Sequence, residues 1–393
     1  MKLLFASILI SSAVFAQVVP FTAETTSIPS TQVGDPTFLS LPRPDGGAFS
    51  LLVGTDTAQT GVFTYNVGGV LQQVVQLGLV NGADSRADLV LVTRANGSLD
   101  AFSASESGLT ALSPSSLSVP TPNHVALRAL EDAGFEVWVD TSSRTVKRFT
   151  LERHGAALQY APLADLTVPQ TPSGLAVDDR TGRVYVALPS VGLLVIERDD
   201  SLNYVASIDA GQLGAVIGGL ELFPAADGGT LLFTTSPSND RLVVHSVDGL
   251  QSTFLGSFQV GPPDGGSSRA RAPKHLDVFE HAFPGFPRGA LVVQDTQLAN
   301  YKLVSLVDVD RVVPLPPAFE RHPPPVPSPD AGAADAGAAT DAGTGSNVVG
   351  GGGTGGPRPD SSPSDPTGCG CTQAPSFFLP ALLLLVSIRR TRP

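Results

Sequence analysis

The sequence predicts an all-β protein built as a six-bladed β-propeller, and two observations predict it. A pattern of apolar strand, polar turn and second apolar strand recurs six times at long period. Gly and Pro supply 41 and 34 of the 393 residues, while charged residues make up only 15%. That balance favours short strands joined by many turns over a coiled coil or a helical bundle.

The repeated units start at six apolar runs, beginning at Leu52, Val90, Val137, Val184, Leu231 and Leu291. Successive starts are 38, 47, 47, 47 and 60 residues apart, and four-stranded propeller blades repeat at roughly 40–50 residues. The long last interval carries an insertion, GPPDGGSSRARAPK at 261–274. A single β-sandwich with irregular hairpins is the alternative, but three equal spacings favour a propeller over residues 21–313.

The strands nearest the central channel are expected to be the apolar runs, such as VLVT at 90–93 and LVVQ at 291–294. Small and β-branched residues suit crowded inner strands. Asp56, Asp140 and Asp295, at the ends of such runs, are then expected to ring the channel mouth. Aspartates in blade turns also accept backbone N–H bonds and fix hairpins, so both roles stay open.

The first 16 residues predict a secretory signal peptide. Lys2 is followed by an apolar run and then by small residues at 14 and 16, the pattern that a signal peptidase cleaves. The run is shorter than the ~20 residues of a membrane span, although an uncleaved anchor is the alternative. We therefore predict an exported protein that is cut after Ala16.

The other end predicts a tether and a sorting signal. Residues 314–367 are rich in Pro, Gly and Ala and have little to bury, so they predict a disordered linker. Residues 368–393 hold Cys369 and Cys371, a short apolar segment and a tail with three arginines. The arginines would stay cytoplasmic by the positive-inside rule. A plain hydrophobic C-terminal strand is the alternative reading of the apolar segment.

This C-terminal combination resembles the sorting signals of myxobacterial surface proteins. The resemblance implies a sorting protease that cuts near the cysteine motif. It also implies C-terminal anchoring at the cell surface or outer membrane, with membrane contact only through this segment.

Composition also limits the chemistry. A net charge of −12 argues against a nucleic-acid binder that neutralises phosphates. Both cysteines lie in the tail, which excludes a disulfide framework in the body. The sequence has no G-x-S-x-G, H-E-x-x-H or C-x-x-C motif. Four histidines (His124, His154, His245 and His281) have no evident partner and are interpreted as structural or solvated. Carboxylates at strand ends remain, and they suit hard cations such as Ca²⁺.

Several segments, in chain order, resemble the β-propeller phytase family. LVNGADSRADL at 79–89 is similar to its N-N-V-D-(I/V)-R-Y stretch, and GLAVDDRTGRVYVA at 174–187 to its D-D blade motif. FPRGALVVQDTQLANYKLV at 286–304 is similar to its F-P-x-G-L-x-V-x-Q-D-G…N-F-K-x-V ending. Short matches at 34–36 and 54–56 extend the resemblance over about residues 35–304.

The resemblance implies a surface-anchored, monomeric 3-phytase-like phosphatase that hydrolyses a phosphorylated small molecule with calcium-assisted attack of water. Arg86 would hold phosphate oxygens, with Lys302 as a second basic group. The implied calcium ligands are Asp35, Asp56, Asp84, Asp178, Asp179 and Asp295. Further site candidates are Asn81, Asp277, Gln294 and Asn300.

The sequence also departs from the family pattern. Thr57, Leu188-Pro189 and Gly218 stand where the family has a Lys, a Glu-Glu pair and a Glu. Loss of carboxylates from such a cluster weakens cation binding. A second hypothesis therefore stays open: a non-catalytic propeller that binds a ligand or a protein partner at the cell surface.

Overall fold

The structure, a computed structural model, describes residues 17–26, 32–42, 48–58, 61–130, 134–205, 217–264 and 269–318. The chain divides into two compact units, Met1–Gly332 and Ala333–Pro393, and every described residue belongs to the first. The predicted signal peptide, most of the predicted linker and the predicted sorting signal with Cys369 and Cys371 lie outside the described residues. Within those residues, no helix is long and apolar enough to cross a membrane.

Strands make up nearly all of the regular secondary structure in the described residues. In chain order the strands are β1 (Gln17–Pro20), β2 (Ala23–Glu24), β3 (Val33–Pro42), β4 (Ala48–Asp56), β5 (Gly61–Tyr65), β6 (Leu71–Gln76), β7 (Val80–Arg86), β8 (Leu89–Arg94), β9 (Ser98–Ser105), β10 (Gly108–Ser118), β11 (Pro122–Ala129), β12 (Phe135–Thr141), β13 (Thr145–His154), β14 (Ala157–Pro162), β15 (Leu166–Thr167), β16 (Gly174–Val177), β17 (Val184–Leu188), β18 (Gly192–Ile196), β19 (Leu202–Tyr204), β20 (Leu220–Pro224), β21 (Thr230–Ser236), β22 (Arg241–Asp248), β23 (Gln251–Gly261), β24 (Leu276–Phe279), β25 (Ala290–Asp295) and β26 (Asn300–Ser305). A 3₁₀ turn (Pro237–Asn239) and a short helix, α1 (Leu306–Asp310), complete the described secondary structure.

The strands form five sheets. Three are four-stranded, in the orders β3-β4-β5-β6, β16-β17-β18-β19 and β2-β26-β25-β24, and one is five-stranded, β1-β23-β22-β21-β20. The fifth has nine strands, in which β7–β10 and β11–β14 are joined by one residue pair, Ser113 with Ala157, and β15 pairs with β13.

The N-terminal strands complete sheets that are otherwise built from the C-terminal part of the chain. Strand β1 pairs in parallel with β23, and β2 pairs antiparallel with β26. Lys302 on β26 is fully buried, forms an ion pair with Glu24 on β2, and stands 4.8 Å from the ring centroid of Phe21. The two ends of the described chain are therefore fastened together.

Six strands, here called the channel strands, line the centre: β3, β7, β11, β16, β20 and β24. Each contacts the next in that order, and β24 contacts β3. Apolar clusters fill the spaces between successive groups of strands; one, for example, packs Val53 and Val62 against Val90 and Val92. The fold is therefore all-β and propeller-like, as the repeat pattern predicts at that level.

The expectation that the apolar runs lie nearest the channel is wrong. The runs that start at Val90 and Leu291 belong to β8 and β25, and β7 and β24 lie between them and the channel. A second strand has hydrogen-bonded neighbours on both edges and packed sheets on both faces, so apolar β-branched residues suit it. A channel strand faces water on one side and can carry charged residues.

Candidate functional site

The channel strands run in the same direction around the central cavity. On β7 and β11, the early residues Gly82 and His124 lie together, and the later residue Asp84 accepts a hydrogen bond from the N–H of Leu127 at 2.6 Å. The cavity has a volume of roughly 460 Å³ including its space open to solvent. We call the end where the channel strands begin the histidine end, and the end where they finish the arginine end.

Two imidazole rings lie together at the histidine end. His124 on β11 and His275 just before β24 have ring centroids 5.6 Å apart. The Nδ1 atom of His124 is 3.2 Å from both carboxylate oxygens of Asp140, and Nδ1 of His275 is 3.5 Å from Oδ1 of Asp35. The side chains of His124 and His275 are only 12% and 14% exposed. Each buried ring therefore faces a carboxylate of its own.

The pKa of His124 follows from this pairing. Burial acts to lower it, but the neighbouring Asp140 charge and its hydrogen bond outweigh burial and raise the pKa to about 9. Asp140 is fully buried and also accepts the backbone N–H of His124 at 2.5 Å. The pair is therefore a buried charge pair at neutral pH.

Glycines let the channel narrow at this end. A Cβ on Gly82 would lie 2.9 Å from the Cα of His124, and a Cβ on Gly219 would lie 3.1 Å from the Cα of His275 and 2.6 Å from the carbonyl oxygen of Lys274. Neither distance leaves room for a side chain. Strands β11 and β24 are opposite one another in the ring, and the two imidazoles meet across the channel.

The arginine end is organised around Arg86, the last residue of β7. Its Nε lies 3.4 Å from Oδ2 of Asp179, and its Nη1 lies 3.9 Å from Oδ1 of Asp84. Burial acts to lower the pKa of Arg86, but Asp179, Asp84, Glu221 and Glu280 together raise it. The guanidinium is therefore already surrounded by negative charge.

Carboxylates outnumber cations around Arg86. Burial raises the pKa of Asp84 to about 6, and burial with the neighbouring Asp84 charge raises the pKa of Asp277 to about 7. Burial, then the charges of Asp277 and Asp84, raises the pKa of Glu221 well above its usual range. Among the described residues that line the channel, Arg86 is the one Arg or Lys. Burial, with the neighbouring negative charges, therefore favours the protonated forms of Asp277 and Glu221.

The structure brings three of the residues implied by the phytase resemblance together. Asp84, Arg86 and Asp179 meet at the arginine end, although they come from different parts of the chain. Asp277 also faces the channel, where its Oδ2 accepts the N–H of Phe38 at 2.5 Å. Asp35 lies at the histidine end beside His275.

Asp56 and Asp295 lie at the ends of second strands, near the histidine end, and are fully buried. Asp56 accepts the N–H groups of Gln32 and Ala58 at 3.0 and 2.8 Å. Asp295 accepts those of Gln297 and Leu298 at 3.0 and 3.2 Å. Both aspartates therefore accept backbone N–H groups, as expected for residues that stabilise turns.

Asp178 also holds backbone geometry. It is 4% exposed, and it accepts the N–H of Arg180 and the hydroxyl of Thr230, each at 3.0 Å. Burial acts to raise its pKa, but the charge of Arg180 and these hydrogen bonds lower it. The residue fixes the β16–β17 hairpin to the neighbouring sheet.

The remaining candidates lie in similar supporting positions. Asn81 donates to the carbonyl of Pro122 at 2.7 Å, Gln294 accepts the N–H of Lys274 at 2.9 Å, and Asn300 is 3% exposed at the start of β26. Lys302 is fully buried between Glu24 and Asp295. Its ammonium group fastens β2 to β26, and this position does not fit contact with a phosphate in the channel.

The six carboxylates implied as calcium ligands are divided between the two ends of the channel. Within the described part of the chain, no group of three or more His, Cys, Asp or Glu side chains has an arrangement that could hold a metal ion. The structure therefore does not bring these six residues together at one mouth of the channel.

Sequence reasoning missed the histidine end. The interpretation of His124 as lacking a partner is wrong, because Asp140 binds it. Asp140 itself was read as one of three equivalent turn aspartates, and His275 stood in a stretch noted only for Asp277. A signal was present: a histidine stands directly before apolar residues near the start of two channel strands, at His124-Val125 and His275-Leu276.

Comparison with known proteins adds fold similarity. No family model matches the chain, and no curated protein matches it. A crystal structure of BBS1N in complex with ARL6DN, soaked with lead, is 10% identical, with a TM-score of 0.45 over 68% of this chain and 78% of that chain. A second, soaked with mercury, is 10% identical, with a TM-score of 0.42 over 77% of this chain and 100% of that chain. Similarity at this level assigns no ligand and no activity to the channel.

Proposed function

We propose that the protein is a non-catalytic binding propeller whose channel takes a positively charged group of a ligand through the arginine end. The observation that carries this proposal is the charge balance around Arg86. The charges of Asp84, Asp179, Glu221, Asp277 and Glu280 all act on this one guanidinium.

This balance selects against an anion. A buried carboxylate is costly unless a cation or hydrogen bonds compensate it. A ligand ammonium or guanidinium would compensate these carboxylates and favour their ionised forms. A phosphate would meet the same carboxylates and an arginine already engaged by Asp84 and Asp179. Charge complementarity therefore favours a cationic ligand.

We also propose six blades for the propeller. The nine-stranded sheet would then count as two blades, β7–β10 and β11–β14, because one residue pair joins them. Six channel strands in a ring support this count. Limited proteolysis in the β10–β11 connection would test this count. If β7–β10 and β11–β14 are separate blades, cleavage there should leave both groups of strands folded.

The binding proposal is tested with agmatine, which carries a guanidinium and an ammonium group, in calorimetric titrations of the whole chain. Saturable binding is expected, weakened at least tenfold by Glu221→Gln and unchanged by Glu106→Gln, an exposed residue in the β9–β10 turn. Equal weakening by both variants would reduce the binding to general attraction to an acidic protein. No binding of agmatine would overturn the proposal.

A second candidate function is the phytase-like phosphatase. The convergence of Arg86, Asp84 and Asp179 favours it, because these residues match two separate motifs of that family. The test is phosphate release from phytate and from a generic phosphomonoester, with calcium and then with chelator. Calcium-dependent release that Arg86→Ala abolishes would establish this function in place of the first. Absence of release, with agmatine bound, would leave the binding propeller.

We further propose that the propeller is displayed at the cell surface. The support is the signal-peptide pattern of residues 1–16 and the Cys, apolar and Arg pattern of residues 368–393. A signal peptidase and a C-terminal sorting protease would be the processing partners. Surface labelling of cells that express the whole chain, beside a variant without residues 368–393, tests this. Equal labelling of both would remove the role of the tail.

A further inference from the structure

We propose that His124 and His275 together bind one transition-metal ion of the zinc class at the histidine end of the channel. Neither residue belongs to the charge cluster at the arginine end or to the carboxylates implied as calcium ligands. The inference therefore stands independently of the proposed function.

Each ring has the carboxylate partner that is typical of a metal-bound histidine. A histidine that binds a metal through one ring nitrogen usually gives the other N–H to a carboxylate, which fixes the tautomer and the ring plane. Here Nδ1 of His124 faces Asp140 and Nδ1 of His275 faces Asp35. The pairing on Nδ1 leaves Nε2 of each ring as the nitrogen for an ion.

The spacing of the rings fits one shared ion. Zinc–nitrogen bonds of ~2.0–2.1 Å in tetrahedral geometry place the centroids of two bound imidazoles about 5 Å apart. The observed centroid separation is 5.6 Å, with an angle of 43° between the ring planes. Closing the difference takes a movement of a few tenths of an ångström by each ring.

The backbone supports both rings from opposite sides of the channel. Gly82 packs on the Cα of His124, and Gly219 packs on the Cα of His275. Because β11 and β24 are opposite each other in the ring of channel strands, an ion between the histidines would link two distant parts of the chain. Water, or a ligand in the channel, would supply the remaining coordination positions.

The test uses the whole chain with Cys369→Ser and Cys371→Ser, because the two tail thiols are themselves potential zinc ligands. Co²⁺ is titrated at mildly alkaline pH and followed by its visible absorption, and Zn²⁺ then displaces it. One equivalent of metal is expected. His275→Ala and His124→Gln should each lose at least tenfold in affinity. Glutamine at 124 retains a donor for Asp140, so this variant keeps the fold.

The matched control is His154→Ala, which removes an exposed histidine 3.5 Å from a carboxylate oxygen of Glu152. Its metal binding should equal that of the parent. Asp140→Asn should weaken binding about 10–100-fold, the usual effect of losing an orienting carboxylate. Zinc should also raise the melting temperature of the parent and leave that of His275→Ala unchanged. Absence of metal binding by the parent, or equal loss in His154→Ala, would overturn the proposal.

Discussion

Both ends of the channel combine basic side chains with carboxylates, but the two ends differ in how many carboxylates surround each basic group. At the histidine end, each imidazole has one carboxylate, Asp140 for His124 and Asp35 for His275. At the arginine end, five carboxylates act on the single guanidinium of Arg86. The histidine end pairs each ring with one carboxylate and is narrowed by glycine contacts. The other carries surplus negative charge.

This difference suggests that the carboxylates at the histidine end stabilise the fold, whereas those at the arginine end are available to bind a cationic ligand. The carboxylates at the histidine end are already engaged by the two imidazoles and hold neighbouring strands in place. An unbalanced cluster costs folding free energy, and that cost is recovered when a compensating ligand arrives. The arginine end is therefore the end to examine for a cationic organic ligand, and substitutions at the two ends should differ in sign.

The largest effect is expected from Lys302→Met, beside the histidine end. Lys302 is fully buried, 3.8 Å from the equally buried Asp295, so its loss leaves that carboxylate without its cation. We expect a decrease of about 3–5 kcal/mol in the free energy of unfolding, measured by urea denaturation. Lys147→Met, which breaks an ion pair whose side chains are 27% and 46% exposed, is the control and should cost under about 1 kcal/mol. Equal losses of stability in the two variants would contradict a structural role for the buried Lys302 ion pairs.

Gly219→Ala tests the narrowing of the channel. The new methyl group would approach the carbonyl oxygen of Lys274 to 2.6 Å, so the strands must move apart. A decrease of about 1–3 kcal/mol is expected in urea denaturation. Gly68→Ala, on an exposed turn whose nearest contact is an Asn66 side-chain oxygen at 3.3 Å, should be close to neutral. A neutral Gly219→Ala would mean that the two histidines are not held together by backbone contact.

Asp140→Asn removes the charge that balances His124 and keeps an oxygen for its backbone N–H. Because the folded pKa of His124 is raised from 6.5 to about 9, its stabilisation is fully present below pH 6.5 and is lost as pH rises through 9. Urea denaturation across this pH range should give a free energy of unfolding about 1–2 kcal/mol lower in the variant at low pH. The deficit should shrink above pH 9. A constant deficit would indicate lost hydrogen bonds rather than lost charge.

Glu221→Gln should have the smallest effect and the opposite sign. The folded pKa of Glu221 is raised above 4.5, so its ionisation destabilises the protein increasingly as pH rises through that raised value. The variant should gain up to about 1 kcal/mol at neutral and alkaline pH and nothing near pH 4. Thermal unfolding at several pH values, with Glu106→Gln as the exposed control, measures this. A loss of stability at pH 8 would contradict surplus negative charge at the arginine end.

The repeat spacing was enough to predict an all-β, propeller-like body, because each unit is a local hairpin with its own turn signals. The order of strands within a unit was not predictable from apolarity. The runs at Val90 and Leu291 looked like channel strands and are second strands, since burial on all sides produces the same β-branched pattern. One motif predicts Arg86 and Asp84 as site residues, and a second motif predicts Asp179. Neither motif predicts that the three side chains lie together in the channel.

The sequence by itself determined the class of fold, because the repeated hairpins depend on residues close together in the chain. The signal peptide and the sorting signal stay predictions. Only the tertiary structure decided which charges meet. His124 and His275 lie on opposite sides of the ring and meet across the channel, where Gly82 and Gly219 allow neighbouring strands to approach closely. Ring closure sets such distances, and no local pattern encodes them.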